Sequence, residues 1–420
     1  MTAFTDEQHG ARATLTYLAE PGDPALAALL RVCEPAEVVA AVRAGKVPAA
    51  VTAHGAATEM GDGGRARLEH AIGLWRSRLA AIPAGADLAA FRREGIRLAC
   101  PGDPEWPTQL DALGSARPYA LWLRGNADLR YCCLRSVSIV GARAATAYGA
   151  HVSAQMSAAL SERGWTVVSG GAYGIDGCAH RGALAADGVT VAVLACGVDY
   201  AYPRGHETLL AAIAAQGVVV SEWPPGTAPM RQRFLVRNRV IGALTRGTVV
   251  VEAGLRSGAL STAAHTAGLG RPLMAVPGPV TSDLSAGCHK IIREWGASCV
   301  TCAQDVIELL APLGESAPAQ YAAARQDRAP GHDDAPGRGS AVCQIGMPGG
   351  RDAPVLSHDD LDPVTAAVLD AVPALGGAGP ARIAVTAGLG LDAVIRSLGL
   401  LAAGGFIERC DRGWKVRRYR

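Results

Sequence analysis

The segment from Val137 to Gly149, VSIVGARAATAYG, places an arginine in a glycine turn between an apolar strand and an Ala-rich helix. A strand, a glycine turn and a helix in this order present backbone N–H groups to a phosphate. The turn holds one glycine, Gly141, followed by Arg143, so it matches neither the dinucleotide fingerprint G-x-G-x-x-G nor a Walker loop. We therefore predict a phosphate site in which an arginine adds a charge-assisted hydrogen bond.

Other predicted strands of the same region also end in small or polar residues. The second ends in SGGAYGID, the fourth in SE, and the fifth in EAG followed shortly by SG. The carboxyl ends of parallel strands meet at one edge of a sheet, so these turns form one rim lined by N–H groups. A nucleotide needs one or two such turns, and several in a row favour an extended chain of phosphates. The predicted rim residues are Gly141, Ser169, Gly170, Gly171, Gly174, Ser257 and Gly258.

An arginine-rich stretch, MRQRFLVRNRVIGAL, follows the fourth strand. Arg233 and Arg237 are four residues apart and share a helix face. The stretch contains no acidic residue, and it begins just beyond a strand end, beside the predicted rim. We predict phosphate contacts here and weigh them against the ordinary alternative, a solvated helix face. The arginines are Arg231, Arg233, Arg237 and Arg239.

The elements that must position these residues form a regular pattern between about residues 131 and 310. Apolar, β-branched runs alternate with segments of helix length, which indicates a parallel sheet covered on both faces. The predicted fold class is α/β, a Rossmann-like doubly wound parallel sheet. The predicted strands are 137–140, 166–169, 189–194, 218–221, 248–252 and 273–276.

The rest of the chain divides by composition. Residues 1–92 are rich in Ala, Leu and Arg at helical spacing and predict a small helical module, of the SAM or helix-hairpin-helix kind. The Rossmann-like domain spans 93–312. Residues 313–358, rich in Pro, Gly and mixed charge, predict a flexible linker. Residues 359–420 predict three helices and a short hairpin, which is a winged helix.

Composition limits the possible partners. The 420 residues carry a formal net charge of +2, which excludes a globally basic coat, so any nucleic acid would be held by local patches. The N-terminus has neither a basic region nor an apolar core, and the longest apolar runs are far shorter than the ~18 residues of a membrane span. We expect a cytoplasmic protein with no membrane partner.

The chain contains eleven cysteines, and Cys299 and Cys302 have C-x-x-C spacing. A zinc site would need a second pair or a His-x-His partner in register, and none follows nearby. We interpret the pair as a buried strand end and predict neither a metal nor a cofactor.

Six segments, read in order, resemble the DprA/Smf DNA-processing family from about residue 95 to 310. They are GARAATAYG, SGGAYGIDGCAH, AYPRGHE, SEWPPGTAPMRQRFLVRNRVIGAL, VVVEAGLRSGALSTA and GRPLMAVPG. The resemblance implies a single-stranded-DNA-binding protein that loads the RecA recombinase, in natural transformation or homologous recombination. It also implies a homodimer whose Rossmann-like domain holds the strand in a basic pocket.

By motif, the DNA-contacting arginine falls on Arg143, the glycine-rich turn on Ser169 to Gly174, and the R-N-R motif on Arg237 to Arg239. Together with residues of the rim and of the arginine-rich stretch, these motifs define the predicted DNA-binding residues. These are Gly141, Arg143, Ser169, Gly170, Gly171, Gly174, Arg204, Arg233, Phe234, Arg237, Asn238, Arg239, Ser257 and Gly258.

Two other classes of function fit parts of the sequence. A Rossmann nucleotide hydrolase, phosphoribohydrolase or nucleotide sensor would use Glu252 to orient a ribose, and an equally good role for Glu252 is to hold neighbouring N–H groups. The motif P-G-G-x-G-T-x-x-E of such enzymes is missing. A winged-helix transcription factor would explain the C-terminus but not the arginine-rich stretch.

We predict no catalytic residue. Asp176, at a predicted helix start, is interpreted as an N-cap, and His180 as a residue that packs or bonds locally. Three aromatic residues, Tyr173, Tyr202 and Phe234, are candidates for stacking on bases or for the core.

Overall fold

A computed structural model describes residues 6–53, 63–82, 88–311, 361–373, 377–403, 406–410 and 413–416. The predicted linker, residues 313–358, lies outside the described residues, as do Arg412 and residues 417–420 of the basic C-terminus.

The N-terminal part is helical, as its composition predicts. Asp23 begins the second helix by accepting hydrogen bonds from the backbone N–H groups of Ala25 and Leu26, and Gly45 ends the third in the left-handed conformation. Apolar faces of these helices form a core of their own, around Leu26, Val38 and other buried residues. The helices are α1 Asp6–Leu18, α2 Pro24–Leu30, α3 Pro35–Ala44, α4 Ala49–Ala53, α5 Gly64–Ala81 and α6 Leu88–Arg93.

A nine-stranded sheet follows, in the order β1-β2-β6-β5-β4-β3-β7-β8-β9. From β6 onward in this spatial order, all strands (β6, β5, β4, β3, β7, β8 and β9) are parallel, which confirms the doubly wound fold. The antiparallel edge of β1 and β2 was not predicted. The strands are β1 Ile96–Ala99, β2 Leu121–Arg124, β3 Ser136–Val140, β4 Thr166–Ser169, β5 Thr190–Leu194, β6 Val218–Ser221, β7 Thr248–Val250, β8 Leu273–Ala275 and β9 Ser298–Cys299.

Both faces of the sheet are buried. Neighbouring residues of one strand, such as Ile139 and Val140, pack into different apolar clusters on opposite faces. This is why the strands read as continuous apolar runs. The covering helices are α7 Leu129–Leu134, α8 Ala147–Ser161, α9 Ile175–Ala185, α10 Glu207–Gln216, α11 Arg231–Leu244, α12 Ala259–Gly268, α13 Ala286–Trp295 and α14 Ala303–Leu310; 3-10 segments span Thr108–Ala116 and Arg204–His206.

The C-terminal unit, residues 361–416, has three helices and then an antiparallel hairpin, in the predicted order. Its buried residues form a separate core that includes Leu369, Ile383 and Leu398. Its assignment as a winged helix stays a prediction. The elements are α15 Pro363–Ala371, α16 Pro380–Ala387, α17 Leu391–Ala403, β10 Ile407–Cys410 and β11 Gly413–Val416.

Within the described residues, no individual helix has the length and apolarity needed to cross a membrane. Among these residues, only the helix pair Pro380–Ala387 and Leu391–Ala402, taken together, has that length and apolarity, and the two helices are bent by 107° relative to each other.

Candidate nucleic-acid interface

The order of the sheet reverses between β3 and β7, and ligands of doubly wound sheets bind beyond the strand ends at such a point. Two glycine turns, after β3 and β4, pack together there, joined by a 3.2 Å hydrogen bond from Ile175 N–H to the carbonyl of Ala142. Gly174 has φ of +76°, and a Cβ at this position would collide with the carbonyls of Ala142 and Arg143. A glycine is therefore required for the two turns to form one surface.

Arg237 lies beneath the second turn and is only 4% exposed. Its guanidinium donates a 2.8 Å hydrogen bond to the carbonyl of Gly170 and another to the carbonyl of Val193. Burial lowers the pKa of Arg237 to about 10, although Asp176 nearby opposes the shift. We predicted a phosphate contact from this side chain, but the structure uses it to hold the glycine turn from inside the protein.

Asp176 binds the same turn from its other side. Its carboxylate accepts a 3.1 Å hydrogen bond from the backbone N–H of Gly170. Burial raises the pKa of Asp176, and Arg237 partly offsets that rise. The carboxylate thus has a local structural role in the first turn of α9, but Asp176 is not the predicted N-cap, because Gly174 occupies that position.

Two other arginines of the stretch, Arg233 and Arg239, have acidic partners from other parts of the chain. Arg239 forms a buried ion pair with Glu222, at 2.7 Å between Nη2 and Oε1. Arg233 pairs with Glu20 of the N-terminal part at 2.5 Å and lies over the ring of Trp223. The acidic partners missing from the stretch itself are thus supplied by other elements of the fold, and phosphate contact by Arg233 and Arg239 stays a prediction.

Several predicted rim residues serve the protein's own hydrogen bonds. Ser169 is buried, and its hydroxyl donates a 2.6 Å hydrogen bond to the carbonyl of Ile139. Asn238 donates a 3.2 Å hydrogen bond to the carbonyl of Gly258, and the hydroxyl of Ser257 accepts one from Ala259 N–H at the start of α12. These contacts hold the rim together, and DNA contact by these residues stays a prediction.

Arg143 is exposed beyond the end of β3, and its guanidinium lies 4.9 Å from the ring centroid of Phe234. The Phe234 ring is 5.5 Å from that of Tyr202. Tyr173 lies on the same side, where its hydroxyl accepts a 3.2 Å hydrogen bond from Gly205 N–H, next to Arg204. We call these five residues the arginine–aromatic surface: Arg143, Tyr173, Tyr202, Arg204 and Phe234.

The arginine–aromatic surface combines two kinds of contact. Guanidinium groups bind phosphate, and half-buried aromatic rings next to them offer faces for unpaired bases. The sequence identified each member, but the closeness of Arg143 to Phe234, from different strand ends, depends on the tertiary structure.

Glu252, at the end of β7, accepts hydrogen bonds from the backbone N–H and the hydroxyl of Thr146, at 2.9 and 2.5 Å. A Cβ at Gly149 would collide with this carboxylate. Glu252 therefore holds the start of α8, which is one of the two roles that the sequence left open.

The cysteine pair differs from its prediction. Cys299 and Cys302 are exposed, not buried. In the part of the chain that the structure describes, one group of three possible metal ligands comes together, His9, Cys100 and Asp103. His9 and Asp103 already pair at 2.9 Å, and burial raises the pKa of the Cys100 thiol to about 12, which disfavours a thiolate ligand.

The doubly wound sheet, with glycine turns at its switch point, places the chain among the Rossmann-like α/β proteins. The family model of DNA recombination-mediator protein A matches residues 97–311. The chain belongs to this family, whose members carry the names DprA and Smf.

Relatives agree with this assignment. The DprA protein of Mycobacterium tuberculosis is 41% identical over 416 residues, which cover 97% of this chain and 94% of that protein. DNA processing protein DprA of Streptococcus pneumoniae is 40% identical over 49% of this chain and 71% of its own length. The X-ray structure of DNA processing protein A from Streptococcus pneumoniae superposes with a TM-score of 0.56 and 29% identity, covering 74% of this chain and 99% of that one.

Proposed function

We propose that this protein binds single-stranded DNA on the arginine–aromatic surface and loads the RecA recombinase onto the strand, in transformation or homologous recombination. The observation that carries the proposal is the stacking of exposed Arg143 over Phe234, above two interlocked glycine turns. A single strand offers both phosphates and unstacked bases to such a surface, whereas the bases of a duplex are stacked inside it. Membership of the recombination-mediator family supports the recombinase as the protein partner.

The proposal describes a binding protein without catalytic activity. The carboxylates near the rim already have partners, since Asp176 accepts from Gly170 N–H, Glu252 from Thr146 N–H, and Glu222 pairs with Arg239. Burial lowers the pKa of His180 to about 3, so this imidazole stays neutral against the hydroxyl of Thr190. Groups fixed in this way support a structural role and offer no activated nucleophile.

The proposal also includes a homodimer as the functional form, which the resemblance of the sequence motifs implies, and the cytoplasmic location expected from the sequence analysis. The proposal further keeps the predicted domain boundaries, which follow residues 92, 312 and 358.

Fluorescence anisotropy with labelled oligonucleotides tests the proposal. We expect single strands to bind more tightly than a duplex of matched sequence, with little dependence on base sequence. Recombinase filaments should form faster on strands already coated with this protein. Equal affinity for the duplex, or turnover of ATP or nucleoside monophosphates that is lost in Glu252→Gln, would favour the enzyme alternative.

A further inference from the structure

The C-terminal unit packs its first helix, α15, against the arginine–aromatic surface. A cavity of about 310 Å³ remains between the two parts. Arg143, Tyr173 and Tyr202 line it on the side of the sheet, and Val364 and Asp370 of α15 are among the residues that line it on the other. The side chains that the proposed function assigns to DNA are therefore partly covered by the protein itself.

Asp370 makes the polar contact between the two parts. Its carboxylate accepts a hydrogen bond from the backbone of Arg204, and Arg143 and Arg204 are the positive charges that act on it. Its Oδ1 atom is buried and finds no hydrogen-bond partner among the described residues. An acidic group of the C-terminal unit thus lies beside the two arginines that would neutralise a phosphate.

The remaining space is too small for a strand. A volume of about 310 Å³ is at the lower end of the roughly 300–1,000 Å³ found for pockets that enclose one small ligand. A polynucleotide must also pass in and out of its site along its length. Arg143 remains exposed in the docked arrangement, but a strand that contacts the parts of Arg143, Tyr173 and Tyr202 lining this cavity would have to displace the C-terminal unit.

The contact between the C-terminal unit and the arginine–aromatic surface is also of a kind that can open. Through the described residues, the apolar clusters of the sheet contain nothing beyond residue 311, and the C-terminal cluster contains only residues from 361 onward. No shared core would be broken by separation, and a buried carboxylate oxygen without a partner weakens the docked state. Domains joined in this way move relative to each other unless their interface is large and apolar.

We propose that the C-terminal unit is an autoinhibitory cover, which competes with single-stranded DNA for Arg143 and must undock before a strand binds. This inference rests on the proposed function. The apparent affinity is then reduced by the fraction of undocked protein, so about 90% docking would weaken binding about tenfold.

Cleavage between the two parts tests the inference in the full chain. A specific protease site is inserted near residue 335, and strand affinity is measured on the same preparation before and after cutting. Tethering keeps the effective concentration of the C-terminal unit well above the nanomolar to micromolar concentration that remains after cutting. We expect the Kd for single strands to fall several-fold after cutting. An unchanged or a higher Kd would overturn the inference, since the C-terminal unit would then be indifferent to DNA or part of its site.

A pair of point variants gives a second test without cutting. Asp370→Lys places a third positive charge beside Arg143 and Arg204 and should repel the C-terminal unit. Glu408→Lys makes the same change of charge on the hairpin of the same unit, away from the cavity lining. Asp370→Lys should tighten strand binding several-fold more than Glu408→Lys, and equal effects would contradict the inference.

Arg143→Ala in the same cleavable chain separates the two hypotheses. If the variant binds strands as well as the parent does, before and after cutting, the proposed site is wrong. If it binds weakly in both states while cutting leaves the affinity of the parent unchanged, the site stands and only the autoinhibitory cover is wrong.

Discussion

Arg237 donates a hydrogen bond to the carbonyl of Gly170 from below, and a Cβ on Gly170 would collide with its guanidinium. The first arginine of the R-N-R motif therefore supports the glycine turn from within the protein. The surface that faces solvent is left to Arg143 and its aromatic neighbours.

We expect Arg237→Ala to lower the free energy of unfolding by about 3 kcal/mol, because it leaves buried Asp176 without its positive neighbour. Thermal and urea denaturation measure the loss. Adding Asp176→Asn to this variant should restore part of the stability, since the uncompensated charge is then removed. If Arg237→Ala keeps full stability but loses strand binding, Arg237 would instead contact a phosphate directly.

Arg143→Ala should weaken single-strand binding about tenfold while leaving the unfolding transition in place, because an exposed charge-assisted contact is lost. The slope of log K against log salt should flatten by about 0.7 for one phosphate contact. Arg124→Ala is the matched control. Arg124 is exposed too, but β2 runs antiparallel to β6, so Arg124 lies near the amino ends of the parallel strands, away from the glycine turns. If both variants show the same slope of log K against log salt, Arg143 does not contact a phosphate of the strand.

Phe234→Ala should cost about 1–3 kcal/mol of strand affinity, the usual contribution of one stacked base. The loss should be insensitive to salt, which distinguishes it from that of Arg143→Ala. Tyr131→Ala, which removes a ring that is 73% exposed on α7, serves as the control. A salt-dependent loss would mean that Phe234 acts only by positioning Arg143.

Strand binding should become tighter between about pH 5 and pH 7. Burial raises the pKa of Asp370 to about 7 in the docked arrangement, against the opposing effects of Arg204 and Arg143. The undocked carboxyl titrates near its ordinary value of about 4, so the docked state holds one more proton between these two values. Docking is therefore favoured at low pH and weakens, by at most about tenfold per pH unit, until the pH reaches about 7.

Anisotropy titrations at constant ionic strength measure this dependence. Asp370→Asn, which resembles the protonated acid, should keep the low affinity of the acidic state at every pH. The pH dependence should also disappear once the cleavable chain is cut. A dependence that survives in Asp370→Asn would show that another group controls it.

Patterns that are local in the chain determined the parallel part of the sheet and its glycine turns. Continuous apolar runs such as 166–169 predict strands buried on both faces, and turn glycines mark the strand ends. The position of Arg143 beyond a strand end could be predicted from sequence because a strand, a turn and a helix contiguous in the chain fix it. The same logic explains why the antiparallel edge was missed, since the pairing of β2 with β6 joins segments almost a hundred residues apart.

Only the tertiary structure decided which arginines face solvent. The partner of Arg233, Glu20, lies 213 positions away in the chain, and Glu222 reaches Arg239 from the end of β6. Likewise, nothing near Asp370 in the sequence indicates that it docks beside Arg143 and Arg204. The availability of a charge depends on burial and on partners brought together through space, whereas the pattern of a strand, turn or helix depends on residues adjacent in the chain.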